Sequence, residues 1–172
     1  PDLDFKQEMR DFVQSISAYA KDINPGFLII PQNGQELITL NGDNKGTADL
    51  TYIESIDGQG REDLFYGYDD DNQETPSEET EYMTDFLDLA KENGLIILVT
   101  DYCSTISKIE DSYSKSNSRD YISFAADHRE LDNIPSYPIA LFGENNAEIN
   151  SLSQIKNFLY LINPDQFNSK TD

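Results

Sequence analysis

Short apolar runs, each long enough for one strand, alternate along this chain with stretches whose apolar residues recur at helical spacing. A continuous apolar run indicates a strand that is covered on both faces, as in a parallel sheet. The alternation therefore predicts an α/β fold with parallel strands. The predicted strands lie at Phe27–Ile30, Leu50–Ile53, Leu95–Val99 and Tyr121–Ala125.

Between these runs, helical periodicity and capping patterns predict four helices. The helices run from Gln7 to Lys21, from Thr75 to Gly94, around Ile106 to Tyr113, and from Ser151 to about Asn163. The long polar stretch from Asp57 to Glu74 is predicted to be an extended loop. We expect residues 1–172 to form a single α/β domain with a frayed tail at 165–172.

Two α/β architectures agree with this order: a (β/α)8 barrel and an open, doubly wound sheet. Open sheets of this type usually bind nucleotides through a glycine-rich motif after a strand. No predicted strand here is followed by GxGxxG or GxxxxGK[ST], so the sequence does not predict nucleotide binding. A complete barrel needs roughly 250 residues, whereas this chain has 172. If the fold is a barrel, we therefore expect only part of it.

The charge excludes some partners. With 33 acidic and 12 basic side chains, the formal charge is -21, which disfavours nucleic acids and anionic membranes. The acidity either serves solubility or suits a cationic substrate or partner.

The rest of the composition predicts no cofactor and no bound metal. One cysteine, Cys103, and one histidine, His128, allow no internal disulfide and no zinc-type cluster. No apolar stretch approaches the length of a membrane span. The expected location is extracytoplasmic or secreted.

Polar residues follow each predicted strand abruptly. In parallel α/β folds these positions gather at one edge, where ligands bind. Amides, carboxylates and aromatic rings there are typical of a sugar-binding site. The candidate substrate-binding residues are Gln32, Asn33, Asp57, Arg61, Asp101, Tyr102, Asp127 and Arg129. For Asp101, capping of the next helix is an equally good interpretation.

Glu54 is the candidate catalytic residue, because it directly follows the predicted strand Leu50–Ile53 and partial burial there favours a general acid. The alternative is a buried ion pair with Arg61 or Arg129. Glycoside hydrolysis needs a second carboxylate, for which Asp57, Asp101 and Asp127 are the candidates. A Cys103–His128 nucleophile is less favoured than an inert buried thiol.

Four strings resemble the bacterial branch of glycoside hydrolase family 114, the endo-α-1,4-polygalactosaminidase type. They begin at Phe27 (FLIIPQNG), Tyr52 (YIESIDG), Gly60 (GREDLFY) and Val99 (VTDY). The resemblance extends from Gln7 to about Arg129. It implies the C-terminal portion of a (β/α)8 TIM barrel that acts on α-1,4-linked galactosamine polymers, with Glu54 matching the catalytic glutamate.

The same resemblance places the partner aspartate upstream of the first helix, where this chain has only Pro1 to Lys6. We therefore expect a glycosidase that is inactive as this fragment, or alternatively a non-catalytic carbohydrate-binding module or degenerate barrel remnant. The older synthetase-related label of such proteins receives no support from motifs or charge. The expected partners are an oligo- or polysaccharide and, through open sheet edges, further copies of the chain.

Overall fold

A three-stranded parallel sheet with helices between its strands forms the framework of the chain. The computed structural model describes residues 4–139 and 143–162. The helices are α1 (Phe5–Ile23), α2 (Leu50–Ile53), α3 (Ser77–Glu92) and α4 (Ile106–Ser118), and the strands are β1 (Gly58–Glu62), β2 (Ile96–Tyr102) and β3 (Ile122–Ala126). Two short 3-10 turns lie at Gln35–Ile38 and Leu152–Gln154. The strand order is β1-β2-β3.

The α/β class and the parallel sheet are thereby confirmed. The described residues do not form a (β/α)8 barrel, which stays a prediction. None of the helices in this part of the chain combines the length and apolar composition that crossing a bilayer needs.

The chain divides into two compact units. The first unit comprises Pro1–Arg61 and Ser77–Leu98, and the second comprises Glu62–Pro76 and Val99–Asp172. Helices α1, α2 and α3 belong to the first unit, and α4 and β3 belong to the second. The prediction of one domain over residues 1–172 stays a prediction, and its tail at 165–172 lies outside the described residues.

Elements with strong local signals form close to where the sequence predicts them. Helix α1 begins where the Asp4 carboxylate accepts the backbone N–H groups of Lys6 and Gln7, both at 3.1 Å. Helix α3 is followed by Gly94, whose φ of 93° is the left-handed conformation that glycine adopts without strain. The predictions for β2, α4 and β3 are confirmed within a few residues.

The strand predicted at Leu50–Ile53 is wrong, because these residues form the short helix α2. The side chain of Asp49 accepts the backbone N–H of Tyr52 at 3.1 Å and so caps the first turn. Tyr52 and Ile53 are buried while Leu50 is exposed. Four residues are too few for apolar content to distinguish one helical turn from a strand.

The strand β1 lies inside the stretch predicted to be a loop. Its sequence, Gly-Gln-Gly-Arg-Glu, contains no apolar side chain. A Cβ on Gly58 would lie 2.7 Å from the Ile96 side chain, and one on Gly60 would lie 2.1 Å from that of Gln32. Glycine is therefore required at Gly58, where the backbone carbonyl of Ile96 would also lie 2.9 Å from the Cβ, whereas at Gly60 the end of the Gln32 side chain could move away. Glycine lowers strand propensity.

The strand predicted at Phe27–Ile30 is also wrong, since no residue of that run is in a strand. The chain instead aligns with β1 slightly later, through a parallel bridge between Gln32 and Gly60. The backbone N–H of Gly60 donates to the carbonyl of Pro31 at 2.8 Å. The backbone N–H of Asn33 gives the return bond to the carbonyl of Gly60 at 2.8 Å. Proline has no backbone N–H, which limits the extension of this pairing to the residues before Gln32.

The last predicted helix is reduced to the turn Leu152–Gln154. The predicted capping box is present, with Gln154 accepting the backbone N–H of Ser151 at 3.1 Å. The residues that follow are not helical. Phe158 and Tyr160 pack against the buried cluster around Phe124. Phe158 and Tyr160 are two residues apart, and side chains at this spacing lie on the same side of an extended chain. The prediction of a helix from these apolar residues is therefore wrong.

Candidate functional site

The carboxyl ends of the strands carry the polar residues of the second unit. Strand β1 ends at Glu62, which is partly exposed and is followed by Asp63. Strand β2 ends at Tyr102, and Asp127 directly follows β3. Because the strands are parallel, these ends share one edge of the sheet. Acidic and aromatic side chains thus lie at the edge where α/β proteins bind ligands.

Arg129 joins this edge to the loop that follows β1. Its Nη2 lies 3.1 Å from the Asp63 carboxylate, and its Nε lies 2.5 Å from that of Asp71. The guanidinium also donates to the carbonyl of Gly67. Charge-assisted bonds to two carboxylates and a carbonyl fix the position of a planar guanidinium. Arg129 therefore holds the acidic loop close to the strand end.

Tyr102 lies under Arg129 and is buried, with its ring centroid 4.4 Å from the guanidinium carbon. Burial, followed by the negative charges of Glu62 and Asp63, raises the pKa of Tyr102 above its ordinary value. The phenol therefore stays protonated at neutral pH. The structure gives Tyr102, a predicted substrate-binding residue, a supporting position beneath the surface.

An open depression of about 700 Å³ lies beside this cluster. It is lined by Tyr68, Asp69, Asp70, Asp71, Gln73 and Arg129. Tyr68 is 41% exposed. Its ring provides a flat apolar surface beside three carboxylates, which is a combination suited to a pyranose that carries a positive charge.

Asp101 has no access to solvent. Its Oδ1 accepts the backbone N–H groups of Phe65 at 2.9 Å and Tyr66 at 3.3 Å, and its Oδ2 accepts the hydroxyl of Ser112 at 2.6 Å. Burial raises the pKa of Asp101 to about 6, against the lowering effect of these bonds. Asp101 therefore anchors the segment after β1 and does not line its surface. Helix α4 is preceded by Thr105, so Asp101 is not its cap.

A second set of contacts holds the same segment from α4. The hydroxyl of Tyr66 donates to Asp111 at 2.6 Å. Lys115 lies 2.7 Å from the Asp111 carboxylate and 2.6 Å from that of Glu74. Together with Asp101, these contacts fix the backbone immediately after Glu62 and Asp63. A site at the end of β1 is thereby held in a defined geometry.

The residues after β3 form a small cluster of their own. His128 lies between two carboxylates, with Nδ1 2.7 Å from Asp127 and Nε2 2.6 Å from Asp132. The hydrogen bond to Asp132, followed by the charges of both carboxylates, raises the pKa of His128. Asn133 donates to the other Asp127 oxygen at 3.2 Å. Asp127 thus occupies the predicted strand end and is engaged there by its neighbours.

Cys103 is buried and free of disulfide bonds. Burial raises the pKa of its thiol to about 12, so the thiolate is not formed at neutral pH. The interpretation of this cysteine as an inert buried thiol agrees with that environment.

In the first unit, Asn33 and Arg61 lie together. Arg61 donates from Nη1 to the Asn33 side chain at 3.3 Å and to that of Gln35 at 3.4 Å. Gln32 forms the bridge to Gly60. Asp57 accepts the backbone N–H of Ile29 at 2.8 Å, and the Lys21 ammonium lies 2.9 Å from it. These contacts give Asp57 a role in positioning the chain before β1.

Glu54 does not follow a strand, which removes the reason for choosing it as the catalytic residue. It is exposed and lies at the end of α2, where its backbone N–H donates to the carbonyl of Leu50 at 2.9 Å. The buried ion pair with an arginine is likewise inconsistent with this exposure. The carboxylate that does end a strand is Glu62, and the sequence interpretation missed it.

A signal for Glu62 exists in the sequence. In the string from Gly60 to Tyr66, the first three residues are the polar end of β1. The last three residues, Leu64, Phe65 and Tyr66, are apolar and buried. The change from polar to apolar marks the turn from the strand into its anchored loop.

Among the residues that the structure describes, no group of three His, Cys, Asp or Glu side chains is arranged to hold a metal ion.

No protein-family model matches this chain. The chain is 31% identical over 144 residues to an uncharacterized protein of Methanocaldococcus jannaschii, a match that covers 78% of the chain and 39% of the relative. It is 30% identical over 129 residues to an uncharacterized protein of Thermotoga maritima, covering 70% of the chain and 36% of the relative. The aligned regions thus span less than two fifths of either relative.

Proposed function

We propose that this chain is part of a glycoside hydrolase of the α-1,4-polygalactosaminidase type, which acts on an amino-sugar polysaccharide. The proposal is supported chiefly by Arg129, which contacts both a strand end and an acidic depression. Arg129 bonds to Asp63, next to the strand-end Glu62, and to Asp71 in the depression. A substrate in the depression is thereby close to the end of β1.

The chemistry of the depression favours a cationic sugar. Three consecutive aspartates and the exposed ring of Tyr68 line it. The whole chain carries a formal charge of -21. Protonated amino groups of a galactosamine polymer are attracted to such a surface, while anionic glycans are repelled. The resemblance of four sequence strings to family 114 adds the linkage and the (β/α)8 barrel to the proposal.

Glu62 takes the place of Glu54 as the proposed general acid/base. The resemblance to family 114 matches the catalytic glutamate to Glu54, which ends a helix, whereas Glu62 is the last residue of β1. It is partly exposed. The backbone that follows it is fixed by Asp101, as positioned acid/base catalysis requires.

The second candidate function is a carbohydrate-binding module without catalysis. It is favoured by the positions of two of the three residues predicted to supply the second carboxylate. Asp101 is fully buried, and Asp57 is bound to Lys21 and to the backbone of Ile29. The upstream aspartate and the extracytoplasmic location remain part of the glycosidase proposal.

The ligand is tested by calorimetric titration with galactosamine oligomers and galacturonic acid oligomers of equal length. We expect the galactosamine oligomers to bind and their affinity to fall as salt rises. Asp69→Asn should weaken this binding by roughly two- to fivefold, the size of one exposed charge contact. Asp22→Asn, an equal charge change on α1, is the matched control and should have no effect. Preference for the anionic oligomers overturns the proposal.

A further inference from the structure

Helix α1 exposes a continuous stripe of large apolar side chains. Its six members recur at alternating spacings of four and three residues: Phe5, Met9, Phe12, Ile16, Tyr19 and Ile23. The stripe runs the length of the helix, which is about 28 Å for 19 residues. Contiguous exposed apolar surface of this length marks an interaction site.

The width of the stripe indicates what kind of surface it packs against. Val13 and Ala20, which are half-buried, extend it along one side, because each directly follows one of its members. A stripe confined to the alternating spacings is the seam of a coiled coil, whereas a stripe widened on one side faces the core of a globular protein. Arg10 and Ser17, which hold α1 to the first unit, lie outside the stripe. The stripe is thus a core-facing surface that the first unit leaves exposed.

Charge disfavours two covers for the stripe, a second copy of the chain and an anionic membrane. Glu8 and Asp22 are exposed and border the stripe on its other side. An antiparallel second copy would place Glu8 of each chain opposite Asp22 of the other, and like charges at these flanking positions oppose helix pairing. Each copy also carries a formal charge of -21, which opposes association with another copy and with an anionic bilayer.

The lengths of the relatives indicate another source for the cover, because more than three fifths of each relative lies outside the aligned region. We propose that, in the whole protein, the α1 stripe packs against the apolar core of a further part of the same polypeptide, outside residues 1–172. Segments of one polypeptide meet at a high effective concentration, so this contact needs no second copy and no other protein. It needs no catalysis either, so a failure to find hydrolysis would leave it standing.

A matched pair of substitutions in the protein as its gene encodes it tests whether the stripe is covered. Within the described residues, Phe12 on the stripe and Leu50 on α2 are similarly exposed, at 59% and 55%. We expect Phe12→Ala to raise the equilibrium constant for unfolding by roughly 100-fold or more, as the loss of a core aromatic ring does. Leu50→Ala should raise it by no more than about twofold. In residues 1–172 alone the stripe stays exposed, so substitutions on it have little effect there. An increase for Phe12→Ala no larger than that for Leu50→Ala overturns the proposal.

Photo-cross-linking from Tyr19 identifies the covering segment without a destabilising change. Tyr19→p-benzoylphenylalanine keeps an aromatic ring at a position that is 72% exposed within the described residues. We expect irradiation of the whole protein to join this residue to a segment of the same molecule outside residues 1–172, which peptide mass spectrometry locates. A cross-linked dimer would assign the stripe to a second copy and overturn the proposal. A cross-link confined to residues 1–172, or the absence of any cross-link, would overturn it as well.

Discussion

Helices α1 and α3 belong to the same unit and have similar apolar periodicity, but they are buried in opposite ways. Helix α3 buries apolar side chains, among them Met83, Phe86 and Leu87. The buried residues of α1 are Arg10 and Ser17. Six of its apolar residues are exposed, with relative exposures from 42% to 76%: Phe5, Met9, Phe12, Ile16, Tyr19 and Ile23.

The difference shows that periodicity predicts a helix without predicting which face is covered. In α1 polar side chains make the contacts, among them the hydroxyl of Ser17, which donates to the carbonyl of Ser55, and the buried guanidinium of Arg10. Arg10 donates to the carbonyls of Leu37 at 3.0 Å and Thr39 at 2.5 Å, and it lies 3.2 Å from Asp49. Polar anchoring therefore holds α1, whereas apolar packing holds α3.

The largest expected effect comes from removing the polar anchor. Arg10→Met keeps much of the side-chain volume but leaves the Asp49 carboxylate and two carbonyls without their cation. We expect the free energy of unfolding to fall by about 3–5 kcal/mol in chemical denaturation. Lys45→Met is the control, because Lys45 pairs with Asp85 while 73% exposed. It should cost no more than about 1 kcal/mol. Equal losses would contradict the anchoring role of Arg10.

A methionine pair compares the two helices directly. Met83 in α3 is 1% exposed, and Met9 in α1 is 49% exposed. Met83→Ala should lower the free energy of unfolding by about 2–5 kcal/mol, because it leaves a cavity. Met9→Ala should change it by less than about 0.5 kcal/mol. A large loss for Met9→Ala would mean that the α1 face is covered in solution, for example by self-association.

The pH dependence tests whether polar anchoring also operates in the second unit. The pKa of Asp101 is raised to about 6 in the folded chain, whereas an unfolded aspartate titrates near 3.9. The folded state therefore binds more protons between these values, and stability falls as pH rises from about 4 to 6. Two pKa units correspond to roughly 3 kcal/mol. Denaturant midpoints measured across this range should show the decline.

Asp101→Asn isolates this contribution. An amide can accept the N–H groups of Phe65 and Tyr66 with its oxygen and donate to Ser112 with its nitrogen, so it imitates the protonated acid. We expect the variant to lose the component of the decline between pH 4 and 6. A variant that keeps the whole decline would assign it to other groups.

Much of the framework could be predicted from sequence, because α3, β2, α4 and β3 carry local signals that agree with their environment. The strand β1 could not, since it has no apolar side chain and its Gly58 is required by a contact with Ile96, which is distant in sequence. The segment Leu50–Ile53 was ambiguous because one helical turn and a short strand have the same apolar content.

The site could be predicted only in part. The sequence placed Asp101, Tyr102, Asp127 and Arg129 near strand ends, and the structure agrees. It could not reveal that Asp101 and Tyr102 are buried, because burial depends on the loop that follows β1. Glu62 was missed because the strand that ends with it was assigned to a loop.

The proposed role of Glu62, the glutamate at a strand end, is the acid/base step. It is tested by comparing Glu62→Gln with Glu54→Gln in the protein as its gene encodes it, by reducing ends released from α-1,4-galactosamine polymer. Both changes replace a carboxylate by an amide of the same shape. Melting temperatures of both variants verify that folding is retained.

We expect Glu62→Gln to lower the rate of hydrolysis by roughly 10²-fold or more, the size of lost general acid/base catalysis. We expect Glu54→Gln, on the exposed end of α2, to retain the full rate. A Glu62→Gln variant that is folded and fully active, or a loss confined to Glu54→Gln, would contradict the claim. Binding of the polymer without hydrolysis by the unaltered protein would instead establish the carbohydrate-binding alternative.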